Sequence, residues 1–186
     1  MTLSKRLTAL ALATALTASF QASAAHAAAP VVRDGAHDFD FDLGVWKTHI
    51  TRRVHPLTGS DETMQLAGTV TVRKLWDGRA QVEEIEADGP KGHWEGMTVF
   101  LYDPQARQWS MNFANSAAGR FTTPMIGGFE NGRAELFGAD TLDGRAILVR
   151  AVWSDITATS HTYQESYSVD GGRTWELAFT ARKTRD

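Results

Sequence analysis

The chain has 186 residues, with 19 Lys and Arg against 22 Asp and Glu, a net charge of −3, and 42% hydrophobic and 10% aromatic residues. That is one ordinary domain able to bury a core, which sets aside global disorder and collagen-like or coiled-coil architectures. The absence of Cys excludes disulfide frameworks, thiolate nucleophiles and Cys-bound zinc or iron–sulfur clusters, and the acidic balance offers no footprint for nucleic acid.

Residues 1–27 begin with basic Lys5 and Arg6, run through an apolar stretch from Leu7 to Phe20, and end in small residues around Ala22-Ser23-Ala24 and Ala25-His26-Ala27. This is the pattern of a secretory signal peptide, so the folded domain is expected over 28–186 and its destination in the periplasm or outside the cell. The apolar stretch is too short and too rich in Ala and Thr for a stable membrane span.

Turn signals then recur: Asp77-Gly78, Asp88-Gly89-Pro90, Asp103-Pro104, Asn131-Gly132, Asp143-Gly144 and Asp170-Gly171-Gly172. Asn-Gly and Asp-Gly favour hairpins because both central residues of a type I′ turn need positive φ. Between the turns lie runs rich in β-branched and aromatic residues, at 45–54, 63–74, 79–87, 93–102, 107–114, 121–129, 133–138, 145–153, 160–168 and 174–182. No segment sustains helical periodicity for three turns; a short helix around Phe39–Leu43 is the most that fits. About ten hairpin-linked strands leave two open edges unless the sheet closes, which predicts a single antiparallel up-and-down β-barrel.

Alternation groups Trp46, Thr48, Ile50 and Arg52 on one face of the first strand, with Lys47, His49 and Thr51 on the other. It also groups Trp109 with Met111 and Phe113, and Trp175 with Leu177 and Phe179. In 147–153 both faces are apolar except for Arg150, a charge that must be paired or solvated in a cavity.

Four ordered segments carry a resemblance. They are His37-Asp38-Phe39-Asp40-Phe41-Asp42-Leu43-Gly44-Val45-Trp46, Tyr102-Asp103-Pro104 through Gln108-Trp109, Val152-Trp153-Ser154-Asp155-Ile156, and Ser168-Val169-Asp170-Gly171-Gly172-Arg173-Thr174-Trp175. Together they resemble a large bacterial family of unknown function that opens on a Phe-Asp-Phe, Gly, Trp pattern and closes on Ser, Asp-Gly-Gly, Thr-Trp. The resemblance implies a calycin-like barrel of the lipocalin and fatty-acid-binding type, with Trp46 against its closed end. Haem barrels of the nitrobindin type share the opening, but no aligned proximal histidine is found, so no cofactor is carried over.

Polar groups in mid-strand are the candidates for chemistry. Glu84 and His49 are the expected proton carriers, and Arg52, Arg150, Tyr163, Glu165 and Tyr167, with Trp109, are the expected contacts to a substrate. Barrels of the implied type bind carboxylates or phenols against interior Arg and Tyr, which makes Arg150 with Tyr163 or Tyr167 the leading anchor pair. His37, Asp38, Asp40 and Asp42 form no spaced metal-ligand pattern and read as an acidic entry segment whose Phe39 and Phe41 plug the barrel. The expected function is binding of a hydrophobic, aromatic small molecule with cofactor-independent acid/base chemistry of the lyase or isomerase kind; the alternative is a non-catalytic carrier or sensor, and a homodimer stays open. A one-residue shift of register exchanges the faces of a strand, so the same polar groups could equally form ion pairs on the outer wall.

Overall fold

The computed structural model describes residues 34–186; the leader expected at 1–27 lies outside the described residues. Ten strands follow one another: β1 (Gly44–Arg53), β2 (Thr63–Leu75), β3 (Ala80–Gly89), β4 (Gly92–Asp103), β5 (Gln108–Asn115), β6 (Met125–Glu130), β7 (Arg133–Leu142), β8 (Arg145–Ser154), β9 (Ser160–Ser168) and β10 (Glu176–Thr184). Each pairs antiparallel with its successor and β10 closes on β1, so the sheet leaves no edge unpaired. The closed antiparallel up-and-down barrel expected from the turn spacing is the fold this chain adopts. Asn131-Gly132 and Asp143-Gly144 adopt positive φ (53° and 77°, 50° and 79°), the two-residue turns that such dipeptides favour.

Two departures from simple alternation shape the interior. The sixth strand starts at Met125 rather than 121, because Pro124 has no N–H to give to a ladder. Residues 116–124 instead loop back, fastened where the Thr122 N–H donates to the Phe113 carbonyl (2.7 Å) and the Phe113 N–H donates to Thr122 Oγ1 (3.1 Å). The second departure is a bulge in β10: Leu177 pairs with Ser166 but Phe179 with Glu165, which leaves Ala178 as the extra residue. The face expected to hold Trp175, Leu177 and Phe179 together is therefore split. Leu177 points outward and Phe179 inward, and Ala181 and Lys183 follow Phe179 into the barrel.

Residues 34–43 fold across one end as two 3-10 turns, Gly35–His37 and Asp40–Asp42. Phe39 is fully buried, its ring within 5.1–5.3 Å of those of Phe100, Trp109 and Trp153. Burying such a ring contributes about 1.5–3 kcal/mol. The plug is also hydrogen-bonded in place: the Trp46 indole donates to the Asp42 carbonyl (2.7 Å) and the Trp109 indole to the Gly35 carbonyl (2.9 Å). Arg185 lies over the outer face of Trp46, 3.9 Å from the ring centre. The expectations for Phe39, Phe41 and Trp46 at the closed end match this geometry.

Candidate functional site

The barrel encloses a cavity of about 250 Å³ that opens opposite the plug. Its wall is built in rows, because every second residue of a strand points inward and the registers line up those residues across β1, β10 and β9. The deepest row is Thr48, Lys183 and His161; the next is Ile50, Ala181 and Tyr163; the outermost is Arg52, Phe179 and Glu165. Four residues along β1 separate Thr48 from Arg52, which sets a depth of about 13 Å. Phe100, Met111, Val149 and Trp153 make the middle of the cavity apolar.

At the mouth, two of the expected contacts, Tyr163 and Tyr167, converge on the carboxyl of a third, Glu165. The Tyr163 hydroxyl donates to Glu165 Oε1 in a short contact, and the Tyr167 hydroxyl donates to Oε2 at 3.4 Å. Burial pushes the Glu165 pKa above the usual carboxylate range, although both tyrosines and the nearby Arg52 charge pull it back in part. Burial, with the adjacent Glu165 charge, also drives both phenols up, so they remain neutral donors. Arg52 lines the same mouth, is exposed to solvent, and makes no hydrogen bond or ion pair among the described residues.

The floor holds a charged cluster that alternation alone did not reveal. Lys183 Nζ donates to Asp42 Oδ1 (2.9 Å) and Oδ2 (3.1 Å) and makes a short contact to Glu83 Oε2. His161 Nε2 stands 3.0 Å from Asp42 Oδ1, with its ring edge-on to Phe41 and Trp46. Burial alone would raise Asp42, but the Lys183 charge and His161 overcome it and hold the carboxyl below its ordinary range. Glu83 goes the other way: burial raises it beyond what Lys183 takes back, and Asp42 adds to the rise. Burial disfavours the Lys183 charge, yet the two carboxylates more than offset this and hold the ammonium pKa up. The signals were present in the sequence but weak. Lys183 continues the inward alternation of Phe179 and Ala181, and Glu83 is masked by its neighbour Glu84.

Four expected site residues lie elsewhere. Glu84 is on the outer wall, 3.6 Å from Arg73, because β3 turns Glu83 inward instead. His49 is exposed on the outer face of β1, between the inward Thr48 and Ile50. Arg150 points outward, since β8 gives Val149 and Ala151 to the interior; its guanidinium packs 4.8 Å from the centre of the Trp175 ring. That ring packs on part of the outer face of β8, while Leu148 stays exposed there. Trp109 is buried in the plug beneath Phe39 and does not line the cavity.

The acidic entry segment disperses its carboxylates. Asp40 pairs with Lys74 at 2.7 Å and accepts from His37 at 3.1 Å, whereas Asp42 turns to Lys183. Among the described residues no three His, Asp or Glu side chains gather as metal ligands, and no helix is long and apolar enough to cross a membrane.

No family model matches the chain, and no curated protein sequence matches it. Among solved structures it is similar to the S-type phycobiliprotein lyase CPES from Guillardia theta, with a TM-score of 0.54 and 11% identity over 83% of this chain and 93% of the other. Also similar are the redesigned β-barrel mFAP1 bound to DFHBI (TM-score 0.44, 11% identity, 82% of this chain and 100% of that one) and mFAP2b bound to DFHBI (0.45, 9%, 82% and 99%). The likeness to the lyase is one of fold.

Proposed function

We propose that the barrel binds a hydrophobic, aromatic small molecule and moves a proton on it without a cofactor, chemistry of the lyase or isomerase kind, with Glu165 as the proton carrier. The observation that carries this reading is a carboxyl of raised pKa, gripped by two tyrosine hydroxyls and turned into an apolar cavity. A base works best when its pKa approaches the working pH, and burial moves Glu165 in that direction. An apolar cavity of about 150 Å³ takes benzene, so about 250 Å³ admits a larger aromatic body. A phycobiliprotein lyase of the same fold supports such a barrel serving as an enzyme scaffold, although fold by itself does not fix activity. The leader-like start supports export to the periplasm or beyond, and the four motifs support kinship with the uncharacterised bacterial barrel family.

The test is base-catalysed ring opening of 5-nitrobenzisoxazole, an aromatic probe that needs only a positioned base to remove its C3 proton. The expected result is turnover above that of acetate at equal concentration, rising with pH as Glu165 ionises and falling about 100-fold or more in Glu165→Gln. Binding of the probe without turnover would overturn catalysis and leave the second reading, a carrier or sensor. That reading is favoured by one feature, Arg52 at the mouth, which makes no ion pair among the described residues and can receive an anion.

A further inference from the structure

The cavity is polar at both ends and apolar between them. At the deep end Thr48 is 1% exposed, lines the cavity, and its Oγ1 has no hydrogen-bond partner among the described residues. A buried hydroxyl left unpaired is costly, and the side chain that carries this one lines the cavity. Its neighbours decide what could join it. Lys183, directly across the ladder from Thr48, has its three donors committed to Asp42 Oδ1, Asp42 Oδ2 and Glu83 Oε2. The two carboxyls take up all three donors of the ammonium, and His161 stands against Asp42, so the floor has no free cation for an anion and welcomes a neutral group that can give or accept a hydrogen bond. Glu83 also takes only a long contact from Thr98 Oγ1, 3.4 Å, on its other oxygen. At the outer end Arg52 is a cation with no ion-pair partner among the described residues; it stands among Asp140 and Glu165, and burial holds Glu165 toward its neutral form.

We propose that the deep end is a hydroxyl subsite built on Thr48, and that the ligand is an aromatic acid carrying a hydroxyl at the far end of its ring system, with the acid held by Arg52 and the hydroxyl seated on the floor. The inference rests on the ligand-binding half of the function proposed above, and not on catalysis. The depth of about 13 Å, less the inward reach of the Arg52 side chain, suits a two-ring body better than a single ring.

Three probes with one ring system separate the contributions: 2-naphthoic acid, 2-naphthol and 6-hydroxy-2-naphthoic acid. At neutral pH each acid is ionised and each hydroxyl is not. Affinities measured by titration calorimetry on the full mature chain are expected to favour the hydroxy acid over 2-naphthoate by about tenfold, the effect of one neutral hydrogen bond in a desolvated site. Thr48→Val removes that preference and leaves 2-naphthoate binding as before, and Thr48→Ser restores it. Arg52→Gln weakens both acids by more than tenfold and leaves 2-naphthol unchanged. Equal affinity of 2-naphthoate and the hydroxy acid for the wild-type chain overturns the subsite while the aromatic cavity stands. A uniform loss for all three probes in a folded Thr48→Val chain also overturns it, because the residue would then act through packing. Failure of all three to bind at millimolar concentration overturns the cavity reading together with the subsite.

Discussion

Replacing Lys183 with Met tests the buried cluster on which the floor depends. Methionine keeps the length and much of the volume of the lysine stem, so the change removes a charge without opening a large cavity. It leaves Asp42 and Glu83, both buried, facing each other without the ammonium that bridges them. Breaking a buried pair from one side costs about 3–5 kcal/mol, a large part of the 5–15 kcal/mol that holds a typical domain together. Urea denaturation at neutral pH is expected to show a loss of that size at an unchanged slope. The pH dependence carries the sign. In the wild-type chain Asp42 has a depressed folded pKa, so its contribution is present above the unfolded carboxylate pKa and is lost as pH falls through the folded value. Lys183 has a raised folded pKa, so its contribution is full below the unfolded lysine value and is lost only as pH rises through the folded one. Without the lysine, burial raises both carboxyls, and the variant's deficit therefore shrinks as acid protonates them. Adding Asp42→Asn and Glu83→Gln to Lys183→Met recovers most of the loss at neutral pH. A loss below about 1 kcal/mol for Lys183→Met alone, with no dependence on acid, would refute the cluster as a charge-balanced unit.

Three other outcomes follow from particular contacts. Tyr163→Phe removes a hydrogen bond that stabilises ionised Glu165, so the carboxyl pKa rises further and the pH profile of 5-nitrobenzisoxazole opening moves to higher pH; a profile shifted to lower pH refutes the assignment. Gln81 is fully buried on the inner face of β3 and neither amide atom finds a partner among the described residues, so Gln81→Met is expected to stabilise the chain by about 1–2 kcal/mol in urea melts, and a loss of stability would contradict this. Arg150→Leu leaves affinity for the naphthalene probes unchanged because Arg150 stands on the outer wall, and it costs about 0.5–1 kcal/mol from the lost contact with Trp175; weakened probe binding in a folded variant would place Arg150 in the site after all.

Local chemistry determined the barrel. Asn131-Gly132 and Asp143-Gly144 can only be tight turns of positive φ, and the alternating runs between turns have one periodicity, so strand number and closure were legible without coordinates. The sequence also marked Arg52, Tyr163, Glu165 and Tyr167, because their spacing of two keeps each set on one face of its strand. It could not say which face was the inner one. A period of two makes the two faces equivalent until a neighbour's register is known, so Glu84 and His49 were as eligible as Glu83 and Thr48. The tertiary structure broke that symmetry, with the β10 bulge turning Phe179 inward and Lys183 after it. It also joined Asp42 to Lys183 across 141 positions and Glu83 to Lys183 across 100. No local pattern encodes such pairs, since a buried charge finds its partner through closure of the barrel and not through spacing along the chain.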